Sequence, residues 1–397
     1  MRGVTTRRSG WPAVLAYCLV GAANQMVWLT YAPVTTVSAE HFGVSETAVG
    51  WLANLFPLVY LPLAVPAGLA LDRWFRPTLL LGAGLTAVGA LVRLVDSTFA
   101  WALLGQVVVA VAQPFVLNAV TGITGHYLEE EDRAKGIALG TASVFAGLVL
   151  AFVLGAVLPG EDQLTTVVLI GSAFAVVAAL LLAVALARVR PVGRPTASVR
   201  VEWSQVRVTL SDPVLRRLVV LVALPFGTFV ALSTWAQALL EPAGVSADAA
   251  SVMLLLTVVL GVGGCAVVPV VAAQRHAEVP AMTAALVLSG LACVALALVP
   301  GVGVGFAAFA LIGLGLLPTM PIVLEIVERR AGAADGTAAG LVWLSGNLGG
   351  LVVAGIVGLL LDVPGIAFLL CALASLGAVP LVLRLRLRSA EPLAPGR

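Results

Sequence analysis

Long apolar runs, separated by short charged or proline-containing segments, dominate this sequence. A run of about 20 apolar residues can cross the hydrocarbon core of a bilayer as an α-helix. Of the 397 residues, 60% are hydrophobic and only 11% are charged, which is more apolar surface than one water-soluble core can bury. We therefore predict an all-α membrane protein. Its twelve expected spans are residues 12–37, 48–71, 78–95, 99–123, 135–158, 165–188, 215–240, 248–273, 279–299, 302–327, 334–361 and 363–384.

The positions of lysine and arginine predict the orientation of these helices. If the N-terminus is cytoplasmic, all of the 22 Lys and Arg residues except Arg93 fall in cytoplasmic loops, tails or helix ends. Cytoplasmic loops of membrane proteins are enriched in these residues. We expect a multi-pass protein of the cell inner membrane with both termini in the cytoplasm.

A basic linker separates the spans into two groups of six. Residues 189–213 contain several arginines and the helix breakers Pro191 and Pro195. We expect an N-terminal bundle at residues 1–188 and a C-terminal bundle at 214–397. The linker segment around Trp203 either lies on the membrane surface as an amphipathic helix or is simply solvated.

Short motifs recur at an offset of about 200 residues, which indicates a parallel repeat. Residues 134–140 and 334–340 both read A-x-G-x-x-x-G, at the start of the fifth and eleventh spans. Asn118 and Glu325 each follow a proline by four residues, in the fourth and tenth spans. Glycines at such spacing let helices approach closely, and packing alone accounts for them.

The second span ends abruptly in a charged turn. Gly68, Asp72, Arg73 and Arg76 follow the pattern G-x-x-x-D-R-x-x-R. This pattern resembles the loop between the second and third helices of the major facilitator superfamily. The resemblance implies a fold of two pseudo-symmetric six-helix bundles that transports by alternating access. It also implies that Asp72, Arg73 and Arg76 latch the cytoplasmic side.

The sequence contains no recognisable arrangement of catalytic or metal-binding residues. The three histidines lie in predicted loops, and the four cysteines lie singly in apolar runs without metal-ligand spacing. We therefore expect no enzyme activity, no cofactor and no metal site. The expected partners are a small-molecule substrate and the lipid bilayer, with no nucleic acid, and the expected state is a monomer.

Polar and aromatic residues within spans are the candidates for a substrate site, because such polar groups are costly in a membrane. In the first span, Asn24, Trp28 and Tyr31 have helical spacing that places them on one face. Gln113 lies in the fourth span, beside Pro114. Interfacial anchoring and helix–helix hydrogen bonding are the alternative roles of all these residues. The remaining candidates are Phe229, Trp235, Trp343 and Asn347.

Glu325 is the acid best placed to lie inside the membrane. It either gates or couples transport, or it forms a structural ion pair with Arg329 or Arg330. The middle of the N-terminal half contains no acid. A proton antiporter usually requires a titratable group near its substrate, so we favour facilitated diffusion.

Further motifs resemble a narrower branch, the feline leukaemia virus subgroup C receptor-related proteins, which are linked to choline, ethanolamine and haem. They are N-x-x-x-W-x-x-Y from Asn24, Y-x-P-x-x-x-P from Tyr60, the pair Gln106 and Gln113, and F-x-A-x-S-T from Phe229. In that family, a tryptophan of the first helix and a tyrosine of the seventh enclose the substrate's cationic head. Glutamines of the fourth and eleventh helices lie nearby.

Carried over to this sequence, the family's site is matched in part. Trp28 and Gln113 match, whereas Val230 stands at the tyrosine position and Asn347 at the eleventh-helix glutamine. One ring still attracts a quaternary ammonium by about 0.5–2 kcal/mol, and Trp235 or Trp343 are candidates for the missing wall. The resemblance thus implies a transporter for a choline- or ethanolamine-like amine, and the lack of an acid in the middle of the N-terminal half favours a uniporter. The alternatives are proton-coupled efflux of drugs or metabolites, haem or vitamin transport, and a receptor that does not transport.

Overall fold

The structure, a computed structural model, describes residues 10–158, 160–192, 207, 210–331 and 335–385, and all regular elements in these residues are helices. The α-helices with bounds in this part of the chain are α1 (Trp11–Trp28), α2 (Thr35–Phe42), α3 (Glu46–Arg73), α4 (Phe75–Val92), α5 (Phe99–Leu117), α6 (Ala119–Tyr127), α7 (Glu130–Val157), α8 (Leu164–Arg188), α9 (Pro213–Leu240), α10 (Ala247–Gln274), α11 (Glu278–Leu298), α12 (Val302–Ala331), α13 (Asp335–Gly358) and α14 (Pro364–Leu383).

Twelve stretches of these residues are long and apolar enough to cross a membrane, which confirms the predicted number of spans. Most bounds agree closely: the ninth span, predicted at 279–299, is α11 at Glu278–Leu298. Two spans differ from the prediction in shape. The first and the fourth each contain a break in the helix, at Trp28 and at Asn118.

The break in the first span follows from local hydrogen bonding. The hydroxyl of Thr30 donates to the carbonyls of Met26 and Val27, at 3.1 Å each, and so competes with the helical backbone pattern. Pro33 has no N–H to donate to the carbonyl of Leu29. Regular helix therefore ends at Trp28, although the apolar span continues to Val34.

The break in the fourth span lies at Asn118, between α5 and α6. Pro114 removes one backbone donor from the last turn of α5. The side chain of Asn118 accepts a hydrogen bond from Tyr60 Oη at 2.5 Å and donates to the carbonyl of Ala64 at 2.8 Å. The break is thus tied to the middle of α3.

The helices pack as two groups. In the first, α1 packs against α7 and α8, and α4 packs against α5 and α8; in the second, α9 packs against α13, α10 against α12, and α11 against α14. The groups meet mainly where α3 packs against α13 and α7 against α10. The domain boundaries stay a prediction, because most of the linker, including Trp203, lies outside the described residues.

Because consecutive spans alternate in direction, their ends meet at two faces of the molecule. Nearly all the described lysines and arginines lie at one of them, which contains the end of α3 and the start of α7. We call this face the basic end and the opposite face the acidic end. Arg93, which directly follows α4, is the one described arginine or lysine at the acidic end.

Candidate functional site

Trp28, the last residue of α1, is partly buried and held by α3. Its Nε1 donates to the carbonyl of Ala53 at 2.8 Å. Its ring stacks on Phe56, with ring centroids 5.4 Å apart and an angle of 26° between the planes. A cation needs only one face of an indole ring. The stack is therefore compatible with a cation on the face opposite Phe56.

Four aromatic rings from α7, α9 and α13 form a second cluster, which we call the aromatic cluster: Phe145, Phe226, Phe229 and Trp343. Phe229 lies 6.3 Å from both Phe145 and Phe226, and Phe226 meets Trp343 edge-on at 6.2 Å. The three phenylalanines, with residues of α12, line an apolar cavity of about 10 Å³. Such a volume holds roughly one water molecule. The cavity has to widen before an organic solute can enter it.

Two candidate side chains with polar groups, Gln113 and Trp343, are almost completely buried. Gln113 is 3% exposed. Nε1 of Trp343 is buried and has no hydrogen-bond partner in the described part of the chain. An unpaired buried donor costs about 1–3 kcal/mol. Nε1 of Trp343 is therefore suited to a hydrogen bond with a polar solute.

Asn24 and Tyr31, predicted to share the face of Trp28, are engaged elsewhere. Asn24 donates to Thr86 Oγ1 at 3.1 Å and is fully buried, so it joins α1 to α4. The ring of Tyr31 contacts Phe42 edge-on at 5.7 Å. Because α1 ends at Trp28, helical spacing does not extend to Tyr31.

Trp235 and Asn347 use their donors on nearby backbone. Nε1 of Trp235 donates to the carbonyl of Ala354 at 2.8 Å, and its ring lies against Gly358 near the acidic end of α13. The amide nitrogen of Asn347 donates to the carbonyl of Trp343 one turn earlier, at 2.9 Å. Trp235 thus joins α9 to α13, and Asn347 has its amide oxygen left for a ligand.

At the basic end, Asp72 joins the two groups of helices. Its carboxylate accepts hydrogen bonds from the backbone nitrogens of Gly336 at 2.7 Å and Thr337 at 3.0 Å, and from the Thr337 hydroxyl. These donors lie in the first turn of α13, where N–H groups lack helical partners and the helix dipole favours a negative charge. Asp72 therefore holds α3 to the start of α13.

Glycines let α3 and α13 touch through their backbones beside Asp72. A methyl group on Gly68 would lie 2.6 Å from the carbonyl oxygen of Gly336. A methyl group on Gly340 would lie 2.7 Å from the carbonyl oxygen of Ala64 and 2.8 Å from Nδ2 of Asn118. These distances are too short for any side chain. This helix contact explains the two glycines of the 334–340 motif, Gly336 and Gly340.

The other two predicted latch residues have different partners. The guanidinium of Arg73 is exposed and lies 4.4 Å above the ring of Trp74. Arg76 donates to Tyr127 Oη at 2.6 Å and to the carbonyl of Val189 at 3.0 Å. Within the described residues, the hydrogen bonds and ring contacts of both arginines stay within the first group of helices.

An ion pair that the sequence analysis missed also joins the two groups. Arg133 of α7 donates to buried Glu328 of α12 at 3.0 Å. Glu325 forms two contacts with Arg329, at 2.9 and 3.0 Å, and Arg329 also binds Glu278 at 2.7 Å. Glu325 thus forms an ion pair with Arg329, one of the two partners considered from the sequence, and that pair stays within the second group.

Comparison with known proteins places this geometry in context. The sequence matches the model of the Major Facilitator Superfamily over residues 13–354. It is 27% identical to solute carrier family 49 member A3 of Danio rerio over 364 residues, which cover 87% of this chain and 77% of that protein. It is 31% identical to the choline/ethanolamine transporter FLVCR1 of Felis catus over 157 residues, or 38% of this chain and 28% of FLVCR1.

Solved structures share the fold at low sequence identity. The transporter FucP in its outward conformation superposes with a TM-score of 0.76 at 16% identity, covering 93% of this chain and 97% of FucP. The human organic anion transporter MFSD10 superposes with a TM-score of 0.77 at 16% identity, covering 94% and 99%. At such identities the likeness concerns the arrangement of helices alone.

Proposed function

We propose that this membrane transporter, which belongs to the Major Facilitator Superfamily, moves a small organic amine of the choline or ethanolamine kind. Transport is by facilitated diffusion with alternating access, across a cell inner membrane with the basic end in the cytoplasm. The concentration of lysine and arginine at that end supports this orientation. The name of the FLVCR1 relative supports the choice of amine.

The observation that carries this proposal is the environment of Trp28. The indole ring is fixed on one face by Phe56 and through Nε1 by Ala53. A fixed aromatic ring is a low-entropy surface for an alkylammonium group. The backbone carbonyl of Trp28 accepts a hydrogen bond from Gln106 of α5 at 2.9 Å. Gln113 lies two turns further along the same face of α5, about 10 Å away along the axis.

The proposed substrate contacts divide between the ring and amides. Trp28 attracts the cationic head, and the buried amide of Gln113 binds the polar end. From the second group of helices, Asn347, Phe229 and Trp343 complete the site when the cavity in the aromatic cluster widens. Asn24, Tyr31 and Trp235 support this site by packing, since each already contacts a neighbouring helix.

Alternating access requires the basic end to open and close. In this structure the two groups are joined there by Asp72, by the glycine contact of α3 with α13, and by Arg133 with Glu328. We propose that these contacts keep the cytoplasmic side closed and break together when the substrate is released inward.

A thermal-shift titration of the purified protein tests the substrate and Trp28 together. We expect choline or ethanolamine to raise the melting temperature, because a ligand at 100 times its Kd stabilises by about 2.7 kcal/mol. Trp28→Ala should fold and lose this response. Trp51→Ala, at an exposed tryptophan of α3, is the matched control and should keep it. A wild-type protein that none of the amines stabilises would contradict the proposed substrate class.

Proton-coupled efflux is the second candidate function, and the observation behind it is the presence of buried acids in α12. Glu328 is 7% exposed and uses one oxygen on Arg133, while its other oxygen has no partner in the described residues. Protonation of Glu328 would weaken the ion pair between the two groups.

In proteoliposomes, we expect a pH gradient alone to drive no amine flux, and Glu325→Gln to leave the flux independent of pH. If the wild type moves the amine against its concentration gradient and Glu328→Gln does not, proton-coupled efflux is favoured instead.

A further inference from the structure

The end of α1 inside the membrane leaves carbonyl groups that need partners. The last four carbonyls of an α-helix have no donor within the helix. At α1, Leu29 N donates to Gln25 O at 3.2 Å. The Thr30 hydroxyl serves Met26 and Val27. The carbonyl of Trp28 has Gln106 as its donor, from the neighbouring helix α5.

Arg93 also binds the end of α1. Its Nη1 donates to the carbonyl of Val27 at 3.3 Å and to Thr30 Oγ1 at 3.2 Å. Its guanidinium lies 5.7 Å from the centre of the Tyr31 ring. The side chain is 5% exposed, so this charge lies inside the protein. The C-terminal end of a helix carries a partial negative charge that favours a nearby cation.

Arg93 has no carboxylate partner within the described residues. Its Nε and Nη2 are buried and make no hydrogen bond there. A buried arginine without a counterion is costly. The negative end of α1 and the ring of Tyr31 both offset the charge. This accounts for the one described arginine at the acidic end, where the charge pattern disfavours one.

We propose that Arg93 and Gln106 are positioning residues that fix the backbone at Val27 and Trp28 and thereby aim the ring of Trp28. This role rests on the proposed function, because the orientation of Trp28 matters for transport only if Trp28 contacts the cation. Its geometric content does not depend on which substrate is carried. Neither residue touches the substrate; they act through the end of α1, while Ala53 and Phe56 hold the side chain itself.

Fluorine NMR of the full-length protein tests this without any ligand. The eight tryptophans are replaced by 5-fluorotryptophan, and the Trp28 signal is assigned by its loss in Trp28→Phe. We expect Arg93→Met and Gln106→Leu each to shift or broaden the Trp28 signal while the signals of Trp235 and Trp343 stay in place. Arg93→Lys, which keeps the charge, should have a smaller effect than Arg93→Met.

The control removes a comparable buried contact that does not reach α1. Ser172 of α8 donates to the carbonyl of Ala90 in α4 at 2.8 Å, one turn before Arg93. Ser172→Ala should leave the Trp28 signal unchanged. An unchanged Trp28 signal in both folded Arg93→Met and folded Gln106→Leu overturns the proposal, and so does an equal shift in Ser172→Ala. If Arg93→Met fails to fold, Gln106→Leu decides by itself.

Titration of the same samples with choline separates this proposal from the proposed function. We expect Arg93→Met to bind choline about tenfold more weakly than wild type, the equivalent of about 1.4 kcal/mol. A Trp28 signal that moves in Arg93→Met, with no choline binding even in wild type, supports the positioning role and overturns only the substrate. Choline binding at wild-type affinity in Arg93→Met, with the Trp28 signal unmoved, overturns only the positioning role.

Discussion

The basic end and the middle of the membrane differ in how their polar groups are satisfied. At the basic end, Asp72 accepts hydrogen bonds from Gly336 and Thr337 at the start of α13, and the glycines bring α3 and α13 into backbone contact. In the middle, Nε1 of Trp343 has no hydrogen-bond partner within the described residues. The Asp72 carboxylate is paired without a ligand, whereas Nε1 of Trp343 is not. Closure and binding therefore depend on different chemistry, and substitutions should separate them.

The largest effect should come from filling the contact between α3 and α13. Gly340→Leu places a side chain where even a methyl group meets the Ala64 carbonyl at 2.7 Å. Such overpacking costs about 1–3 kcal/mol or more, so we expect the basic end to stay open and transport to be lost. Glu131 and Arg275 are exposed positions on opposite groups of helices. The distance between spin labels at these two positions, measured by double electron–electron resonance, should be longer in Gly340→Leu than in the wild type.

A matched glycine on the same helix serves as the control. A methyl group on Gly355 would meet no atom within 4 Å, so Gly355→Leu should keep the wild-type label distance. The four native cysteines are buried, which directs the labels to the introduced ones. An unchanged distance in Gly340→Leu would show that this contact does not control closure.

Removal of the Asp72 charge should weaken closure without adding bulk. Hydrogen bonds to a charged acceptor are worth about 1.5–3 kcal/mol each, and Asp72→Asn replaces them with neutral ones. We expect a partial shift of the same spin-label distance toward the open value, and a smaller loss of transport than in Gly340→Leu. Wild-type binding of the amine in thermal-shift titrations would confirm that the middle region is untouched.

Two tryptophan substitutions compare, by stability alone, the unpaired indole of the middle region with a paired indole near the acidic end. Trp343→Phe keeps a ring beside Phe226 and removes an unpaired buried donor, so the melting temperature should stay equal or rise. Trp235→Phe removes a hydrogen bond to Ala354 and should cost about 1 kcal/mol. A lower melting temperature in Trp343→Phe than in Trp235→Phe would mean that Nε1 of Trp343 is satisfied after all.

The smallest effect is expected at Arg73. This side chain is exposed and its ring contact is with Trp74, its own neighbour. Exposed charges contribute little to stability, so Arg73→Gln should change transport by less than about twofold. A loss of transport as large as that of Asp72→Asn would show that Arg73 is part of the latch.

The number and limits of the spans were predictable because apolar length alone determines them. The breaks at Trp28 and Asn118 were not, since the apolar runs continue through both. The first break comes from local hydrogen bonding of Thr30, and the second is held by contacts with α3. For the same reason Tyr31 was placed on the face of Trp28, although the helix that would put it there has already ended.

Contacts between distant residues were predictable only where a motif marks them. The motif around Asp72 predicted a latch, but not that its donors are the backbone of Gly336 and Thr337. Arg133 and Glu328 are 195 residues apart, and nothing in either segment indicates the other. Glu325 lies one helical turn from Arg329, so their pair followed from spacing.

The backbone contact between α3 and α13 has a consequence for inhibitors. A contact that excludes even a methyl group leaves no crevice for a drug-like molecule. A compound that wedges these two helices apart can bind only the molecules in which the basic end is already open. Its apparent potency is then reduced by the scarcity of that open state. Variants that loosen the contact, such as Asp72→Asn, should be more sensitive to it than the wild type.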